Sequence, residues 1–180
     1  MCKKLNLSDK ILFKARKFTL KYNKINPYKT QKQYKLLKKN LGSIGDNSRI
    51  IAPFYCDAGV NIHIGNNSYI NYNATLLDTV KINIGNNVFI APNVSIYTIY
   101  HPLGYKLRNQ RIDYTKEVTI KDNCWICGNV TILPGVTIGS GSVIGANSLV
   151  THDIPANSLA YGSPAKVVRD LTEENNKEQE

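Results

Sequence analysis

The sequence predicts an all-β solenoid of six-residue repeats, preceded by a short helical segment. The main observation is an unbroken column of aliphatic residues, one at every sixth position. An α-helix of 3.6 residues per turn cannot produce this period, and simple strand alternation would allow it without requiring it. The column consists of Ile120, Ile126, Ile132, Ile138, Ile144 and Val150.

A second column of smaller residues accompanies the first. Cys124 follows Ile120 by four positions, Val130 follows Ile126 in the same way, and the design already occurs from residue 64 to residue 94. Glycine, asparagine and aspartate recur between the repeats, and these residues tolerate the tight or left-handed backbone of corners. We therefore expect flat walls, sharp corners and a narrow core that the aliphatic side chains fill.

The segment before the solenoid has a helical pattern. Ile11, Ala15, Phe18 and Tyr22 recur at spacings of four, three and four, which predicts an amphipathic helix over residues 8–24. A second helix is expected over residues 29–41, with Gly42 as its stop.

These patterns divide the chain into three parts. Residues 1–42 form the helical segment, 43–162 the β-helix, and 163–180 a C-terminal segment whose end, after Leu171, is expected to be disordered. The repeat is interrupted at residues 99–117, which predicts a loop that protrudes from the wall. Long ordered loops on rigid scaffolds are often functional.

Charge is concentrated at the N-terminus. The chain has a formal net charge of +10, and residues 1–40 contain thirteen Lys or Arg against one acid, Asp9. A nucleic-acid partner would fit this charge, but the segment lacks a recognisable nucleic-acid-binding fold. The favoured interpretation is a solvated basic helix face, with no nucleic-acid partner.

The chain has neither a secretory signal pattern nor an apolar run near the ~20 residues of a membrane span, so we expect a cytoplasmic protein without a membrane partner. Four cysteines fit a reducing compartment. The repeat places Cys124 inward and Cys127 outward, which argues against a metal or redox pair. We expect no bound metal, since no second cysteine pair or nearby histidine completes a zinc site.

His101 begins the interruption of the repeat and is the leading catalytic candidate. Histidine titrates near neutrality and can act as a general base toward a hydroxyl group. A loop histidine bonded only to the backbone is an equal alternative on the residues alone.

Several motifs resemble those of the hexapeptide-repeat acyltransferases, and most closely the maltose and galactoside O-acetyltransferase branch. They are the hexads, Asn61 to Gly65, His101-Pro102, Val118 to Gly139 and Gly162 to Lys166. The resemblance implies a left-handed parallel β-helix, a homotrimer with active sites between subunits, and acetyl-CoA as co-substrate. It also implies O-acetylation of a sugar or sugar-like acceptor.

The resemblance assigns roles by position. It makes His101 the general base and the backbone N–H of Gly128 the donor to the oxyanion. The acceptor-binding positions that it implies are Asp57, Asn71 and Asp78. Those that it implies for the cofactor are Gly128, Ala146, Thr151, His152, Lys166 and Arg169, and the phase of the repeat adds Trp125. Trp125, which precedes an inward isoleucine, is expected to point outward and to form an interface or ligand wall.

The residues leave other functions open. The family's sugar acetyltransferases carry an N-terminal Gly-Glu-Leu-Tyr-Asp-like segment with a carboxylate for the acceptor, and this sequence has no match to it. The acceptor could therefore be an antibiotic hydroxyl, as in the xenobiotic branch. A non-catalytic binding solenoid is a further alternative. A zinc carbonic anhydrase on a similar solenoid would need three converging histidines, and His63, His101 and His152 lie far apart in sequence.

Overall fold

A computed structural model describes residues 9–172. The described part of the chain begins with two helices and continues as a three-sided prism, in which successive short strands join three sheets in turn. Pairing within these sheets is parallel except between the last two strands, which pair antiparallel. The helices are α1 (Asp9–Asn23), α2 (Thr30–Asn40) and the short α3 (Tyr105–Arg108). The helix start predicted at Ser8 lies outside the described range, as do residues 173–180 of the tail that is predicted to be disordered after Leu171.

The strands fall into three walls and one hairpin. Sheet A contains β1 (Ser43–Ile44), β4 (Ile62–Ile64), β7 (Ile82–Ile84), β12 (Val118–Ile120) and β15 (Thr137–Ile138). Sheet B contains β2 (Arg49–Ile50), β5 (Tyr69–Ile70), β8 (Phe89–Ile90), β13 (Trp125–Ile126), β16 (Val143–Ile144), β18 (Ser158–Gly162) and β19 (Ala165–Asp170). Sheet C contains β3 (Phe54–Cys56), β6 (Ala74–Leu77), β9 (Ser95–Tyr97), β14 (Thr131–Ile132) and β17 (Leu149–Val150). The hairpin consists of β10 (Ile99–Tyr100) and β11 (Tyr114–Thr115).

The aliphatic column forms the core, as the repeat predicts. Ile126, Ile132 and Ile138 each have 0% relative exposure, and they stack in register with the isoleucines of neighbouring coils. The inward Cys124 is buried at 1%, whereas Trp125 is 53% exposed and Cys127 is half-buried. The predicted phase of the repeat is therefore confirmed at each of these positions.

Asparagine closes many corners of the prism. Within residues 9–172, every left-handed non-glycine residue except Arg111 is an asparagine. Asparagine tolerates this conformation, and its side chain can also bond locally. The amide of Asn47 donates to Asn67, that of Asn73 to Asn93, and that of Asn129 to Asn147, at 3.0–3.2 Å. These bonds join one coil to the next.

Glycine serves a different purpose where coils approach closely. A Cβ on Gly139 would lie 2.3 Å from the backbone nitrogen and 2.6 Å from the Cα of Ala156, whereas a Cβ on Gly104 would meet nothing within 4 Å. Gly139→Ala should therefore lower the free energy of unfolding by about 1–3 kcal/mol or more, as overpacking does. Urea melts of this variant beside Gly104→Ala test the idea, and equal stabilities would contradict it.

The helical segment closes the first coil. Phe18 and Tyr22 on α1 pack edge-on against Phe54 of β3, and the Tyr22 hydroxyl donates to the Ile50 carbonyl. The Asn23 side chain both donates to the Phe54 carbonyl and accepts from the Phe54 N–H. No helix among the described residues is long and apolar enough to cross a membrane.

The loop leaves the wall without disturbing it. After β9 the chain forms the antiparallel β10–β11 hairpin, which pairs Ile99 with Thr115 and Tyr100 with Tyr114. β12 then stacks directly on β7, so Ile120 lies beside Ile84 as if the loop were absent. The excursion is thus an insertion between two coils.

Candidate functional site

The predicted site residues lie along two different edges of the prism. Asn71, Gly128 and Ala146 follow strands of sheet B, at the corner where the chain turns toward sheet C, which we call the BC edge. The CA edge is the next corner, after sheet C. This edge carries Asp57, Asp78, Thr151 and His152, and the loop that leaves it begins with the segment of His101. Stacking of successive coils places each group in a column.

His101 directly follows β10, and its side chain is 61% exposed. Its Nδ1 lies 2.8 Å from a carboxylate oxygen of Asp113. In the neutral imidazole, Nδ1 must carry the proton in order to donate to this carboxylate, so Nε2 presents a lone pair. Within residues 9–172, Nε2 has no hydrogen-bond partner, which leaves it free to take a proton from a bound hydroxyl group.

Asp113 is a site residue that the sequence did not single out. It precedes β11. In the hairpin, Tyr100 pairs with Tyr114, so His101 and Asp113 are the next two residues to face each other. The sequence does contain one signal for this pair: His101 lies near the start of the interrupting loop and Asp113 lies near its end. Antiparallel closure of the loop was needed to use it, and the repeat pattern does not predict that closure.

The start of the loop is held by further contacts. The rings of Tyr100 and Tyr114 lie 5.5 Å apart between centroids. The Arg108 guanidinium donates to the carbonyls of Pro102 and Leu103 at 3.1 and 3.0 Å. His101 is therefore positioned by its neighbours on both sides, although its ring is exposed.

Gly128 and Ala146 present unused backbone donors on the BC edge. Neither N–H donates a hydrogen bond to another group in the described chain. The two residues occupy equivalent places in successive coils, as the pairing of β13 with β16 shows. A Cβ on Gly128 would lie 3.5 Å from the Pro92 carbonyl oxygen and meet nothing closer. This corner can therefore offer two adjacent N–H donors to a ligand.

Lys166 and Arg169 lie on one face because β19 contains a bulge. In a regular strand, residues three apart point to opposite sides. Here Lys166 pairs with Tyr161 and Arg169 with Leu159, with a shift of register between Leu159 and Ala160. Ala160 is fully buried, so its neighbours Leu159 and Tyr161 point outward, and both cations share that outer face.

The outer face of sheet B also carries Trp125. Strand pairing aligns Trp125 with Val143, Val143 with Leu159, and Leu159 with Arg169. The face thus runs from an exposed indole to two exposed cations and borders the Gly128–Ala146 corner. This combination of apolar surface, backbone donors and positive charge suits a long anionic ligand.

Thr151 and His152 lie apart from this face, on the CA edge after β17. The Thr151 hydroxyl and His152 Nδ1 are 2.8 Å apart, and His152 is exposed. One chain therefore does not bring all the predicted cofactor residues together.

The three predicted acceptor residues differ in exposure. Asn71 is half-buried, and its Oδ1 accepts the Tyr72 N–H at 2.9 Å, which leaves its Nδ2 without a partner among the described residues. Asp57 is half-buried, and burial raises the pKa of its carboxyl group while the positive charge of Arg16 opposes the shift. Both side chains can reach a ligand.

Asp78, in contrast, is fully buried. One carboxylate oxygen accepts the N–H groups of Asp57 and Ala58 at 3.0 and 2.8 Å, and the other accepts the N–H of Asn61 at 3.2 Å. Asp78 therefore fixes the backbone that carries Asp57. In the single chain its own side chain is not accessible to a ligand. Burial raises its pKa to about 6, although the backbone hydrogen bonds act in the opposite direction.

The raised pKa of Asp78 predicts a pH dependence of stability. Because the folded-state pKa of Asp78 lies above the ordinary value of 3.8, the stabilisation that comes from its protonation is complete at low pH and is lost as pH rises through about 6. That loss is on the order of 3 kcal/mol. Urea melts between pH 4 and 7 should show this decline relative to Asp78→Asn, with exposed Asp9→Asn as the control. Parallel pH profiles of wild type and Asp78→Asn would contradict the assignment.

The described residues contain no group of three or more His, Cys, Asp or Glu side chains that could hold a metal ion. His63 lies on sheet A, where its Nδ1 is 3.1 Å from the Ser43 hydroxyl. It thus shares neither the loop of His101 nor the corner of His152.

Comparison with known proteins places this geometry in a family. The family model described as bacterial transferase hexapeptide (six repeats) matches residues 117–152. A galactoside O-acetyltransferase of Lactococcus lactis is 42% identical over 154 residues, which cover 85% of this chain and 74% of the relative. The structure of a maltose O-acetyltransferase from Clostridium difficile 630 has a TM-score of 0.89 and 44% identity, covering 91% of this chain and 88% of its own.

A third protein is a hexapeptide-repeat acetyltransferase of Vibrio cholerae, whose structure contains acetyl coenzyme A. It has a TM-score of 0.88 and 36% identity, covering 92% of this chain and 89% of its own. The repeat, the three walls and these similarities define a left-handed parallel β-helix of the hexapeptide-repeat class. The chain belongs to the hexapeptide-repeat acetyltransferases, in the branch of the galactoside and maltose O-acetyltransferases.

Proposed function

We propose that this protein transfers the acetyl group of acetyl-CoA to a hydroxyl of a sugar or sugar-like acceptor, with His101 as the general base. The observation that carries the proposal is the His101–Asp113 pair, at 2.8 Å, on an exposed loop. The carboxylate keeps the proton on Nδ1 and stabilises the imidazolium that forms, while Nε2, on a side chain that is 61% exposed, keeps its lone pair available.

The reaction needs no covalent enzyme intermediate. Nε2 of His101 removes the hydroxyl proton as the acceptor oxygen attacks the thioester carbonyl carbon. The Gly128 N–H stabilises the resulting oxyanion. The carbon–sulfur bond then breaks, and the imidazolium returns its proton to the departing sulfur of coenzyme A. The acetyl ester forms and the enzyme regains its starting protonation state.

Acetyl-CoA fits the outer face of sheet B and its neighbouring corner. The unused N–H groups of Gly128 and Ala146 suit the carbonyls of the pantetheine arm, and Trp125 supplies an apolar wall. Lys166 and Arg169, which the bulge directs to one side, suit the phosphates. Thr151 and His152 complete the proposed contacts from the other edge.

For the acceptor, we propose direct contacts from Asp57 and Asn71. Asn71 has a free amide donor, and the carboxylate of Asp57 can accept from sugar hydroxyls. Asp78 supports the site indirectly, because its buried carboxylate holds the N–H of Asp57.

The separation of these groups over two edges supports assembly as a homotrimer. His101 lies on the loop from the CA edge, whereas its proposed oxyanion donor, Gly128, lies on the BC edge of the same chain. If neighbouring prisms pack side by side, the CA edge of one subunit meets the BC edge of the next. Each active site would then combine His101 from one subunit with Gly128 from another.

A direct test is release of coenzyme A thiol from acetyl-CoA in the presence of a panel of hydroxyl compounds. Sugars and glycosides should serve as acceptors, and product mass should rise by one acetyl group. Turnover with antibiotic hydroxyls alone would favour the xenobiotic alternative. Binding of acetyl-CoA without turnover across the whole panel would favour a binding module.

A further inference from the structure

The outward face of α1 carries two apolar side chains that neither the core nor the proposed active site uses. Phe13 is 67% exposed and Leu20 is 64% exposed. They are seven residues apart, which places them on the same side of the helix. The opposite side, with Ala15, Phe18 and Tyr22, is buried against the solenoid.

Exposed cations surround these two residues. Lys10 and Lys17 share the heptad spacing of Phe13 and Leu20 and follow the same side of the helix. Every lysine and arginine in residues 9–40 is exposed, and the only acid there is Asp9. None of these cations forms an ion pair within the described chain, where the pair of His101 and Asp113 is the only one.

The charge is separated along the whole sequence. Residues 1–40 hold thirteen Lys or Arg and one acid, a formal charge of +12. The remaining 140 residues hold ten Lys or Arg and twelve Asp or Glu, a formal charge of −2. The net positive charge of the protein therefore resides in its helical segment, at the end where the solenoid begins.

We propose that this surface, the basic face of α1 and α2, binds an anionic lipid surface. Phe13 and Leu20 would enter the boundary between headgroups and acyl chains while the lysines contact lipid phosphates and carboxylates. On α2, Lys32, Lys35, Lys38 and Lys39 extend the positive surface. Tyr28, which is 92% exposed in the turn between the helices, adds an aromatic side chain of the kind found at membrane interfaces.

The apolar pair favours a lipid surface over a nucleic acid. A phosphate backbone would satisfy the lysines but would leave Phe13 and Leu20 without a partner. A basic amphipathic helix with bulky apolar residues amid its cations is the pattern of a helix that lies on a membrane. This binding would be peripheral and would not depend on acetyl transfer.

The test is co-sedimentation of the full chain with vesicles at about 0.1 M salt. Vesicles of phosphatidylcholine with about 30% phosphatidylserine are compared with phosphatidylcholine alone. Lys10→Gln with Lys17→Gln should lower the partition coefficient roughly twenty- to thirty-fold. Phe13→Ala with Leu20→Ala should lower it at least roughly tenfold. The matched control, Lys81→Gln with Lys121→Gln, removes the same charge from exposed positions on the solenoid and should have little effect.

Circular dichroism and thiol release from acetyl-CoA establish that each variant is folded. Absence of binding to the anionic vesicles would overturn the proposal, as would equal binding to phosphatidylcholine alone. A duplex oligonucleotide provides the remaining arm. If Phe13→Ala with Leu20→Ala leaves vesicle binding unchanged while the oligonucleotide competes for the protein, the surface binds polyanions in general and the proposal fails.

Discussion

His101→Ala is expected to lower kcat by about 10²–10⁴-fold, because the acceptor hydroxyl loses the group that removes its proton. Acetyl-CoA should still bind with its wild-type affinity, since the proposed cofactor contacts come from other side chains. Steady-state thiol release measures the first quantity, and isothermal titration calorimetry with acetyl-CoA measures the second.

The matched control is His63→Ala. His63 lies on sheet A beside Ser43, away from the loop, and its removal should leave kcat near the wild-type value. Wild-type turnover in His101→Ala would show that another group is the base. Equal losses in the two variants would show that the effect is structural.

Asp113→Asn is expected to lower kcat about 10²–10⁴-fold, with little change in KM for acetyl-CoA. An asparagine amide can donate to Nδ1, which favours the tautomer that carries its proton on Nε2. That tautomer cannot accept the hydroxyl proton. The change should therefore act on the chemical step and have little effect on the melting temperature, because the altered pair belongs to the inserted loop and not to the stacked coils.

Two further variants separate charge from position. Asp113→Glu retains a carboxylate and should recover part of the activity, whereas Glu117→Gln removes a nearby exposed charge and should have no comparable effect. An unchanged kcat in Asp113→Asn would show that His101 does not need this partner.

Most of the solenoid could be predicted from the sequence because its cause is local and repeated. The aliphatic column sets which side chains enter the core, and the burial of Cys124 and the exposure of Trp125 follow from that phase. Asparagine and glycine at the corners reinforce the same pattern. The end of α1 and both ends of α2 also lie within one residue of the predicted bounds.

The candidate site was harder to predict because its contacts are not periodic. Asp113 meets His101 only after the loop closes as a hairpin, and Lys166 joins Arg169 only because β19 contains a bulge. Asp78 has the sequence context of an exposed corner, but its carboxylate is buried and accepts hydrogen bonds from the backbone N–H groups of Asp57 and Asn61. In each case a single local irregularity decides where the side chain points.

The loop of residues 99–117 has a consequence for how such a protein can change. β12 pairs with β7 in an unbroken register, so the scaffold does not need the intervening residues to complete its core. Mutations within the insertion can therefore alter the chemistry while the stacked coils retain their stability. New acceptors could be acquired by exchanging this one segment, in the way that antibodies diversify their binding loops on a constant framework.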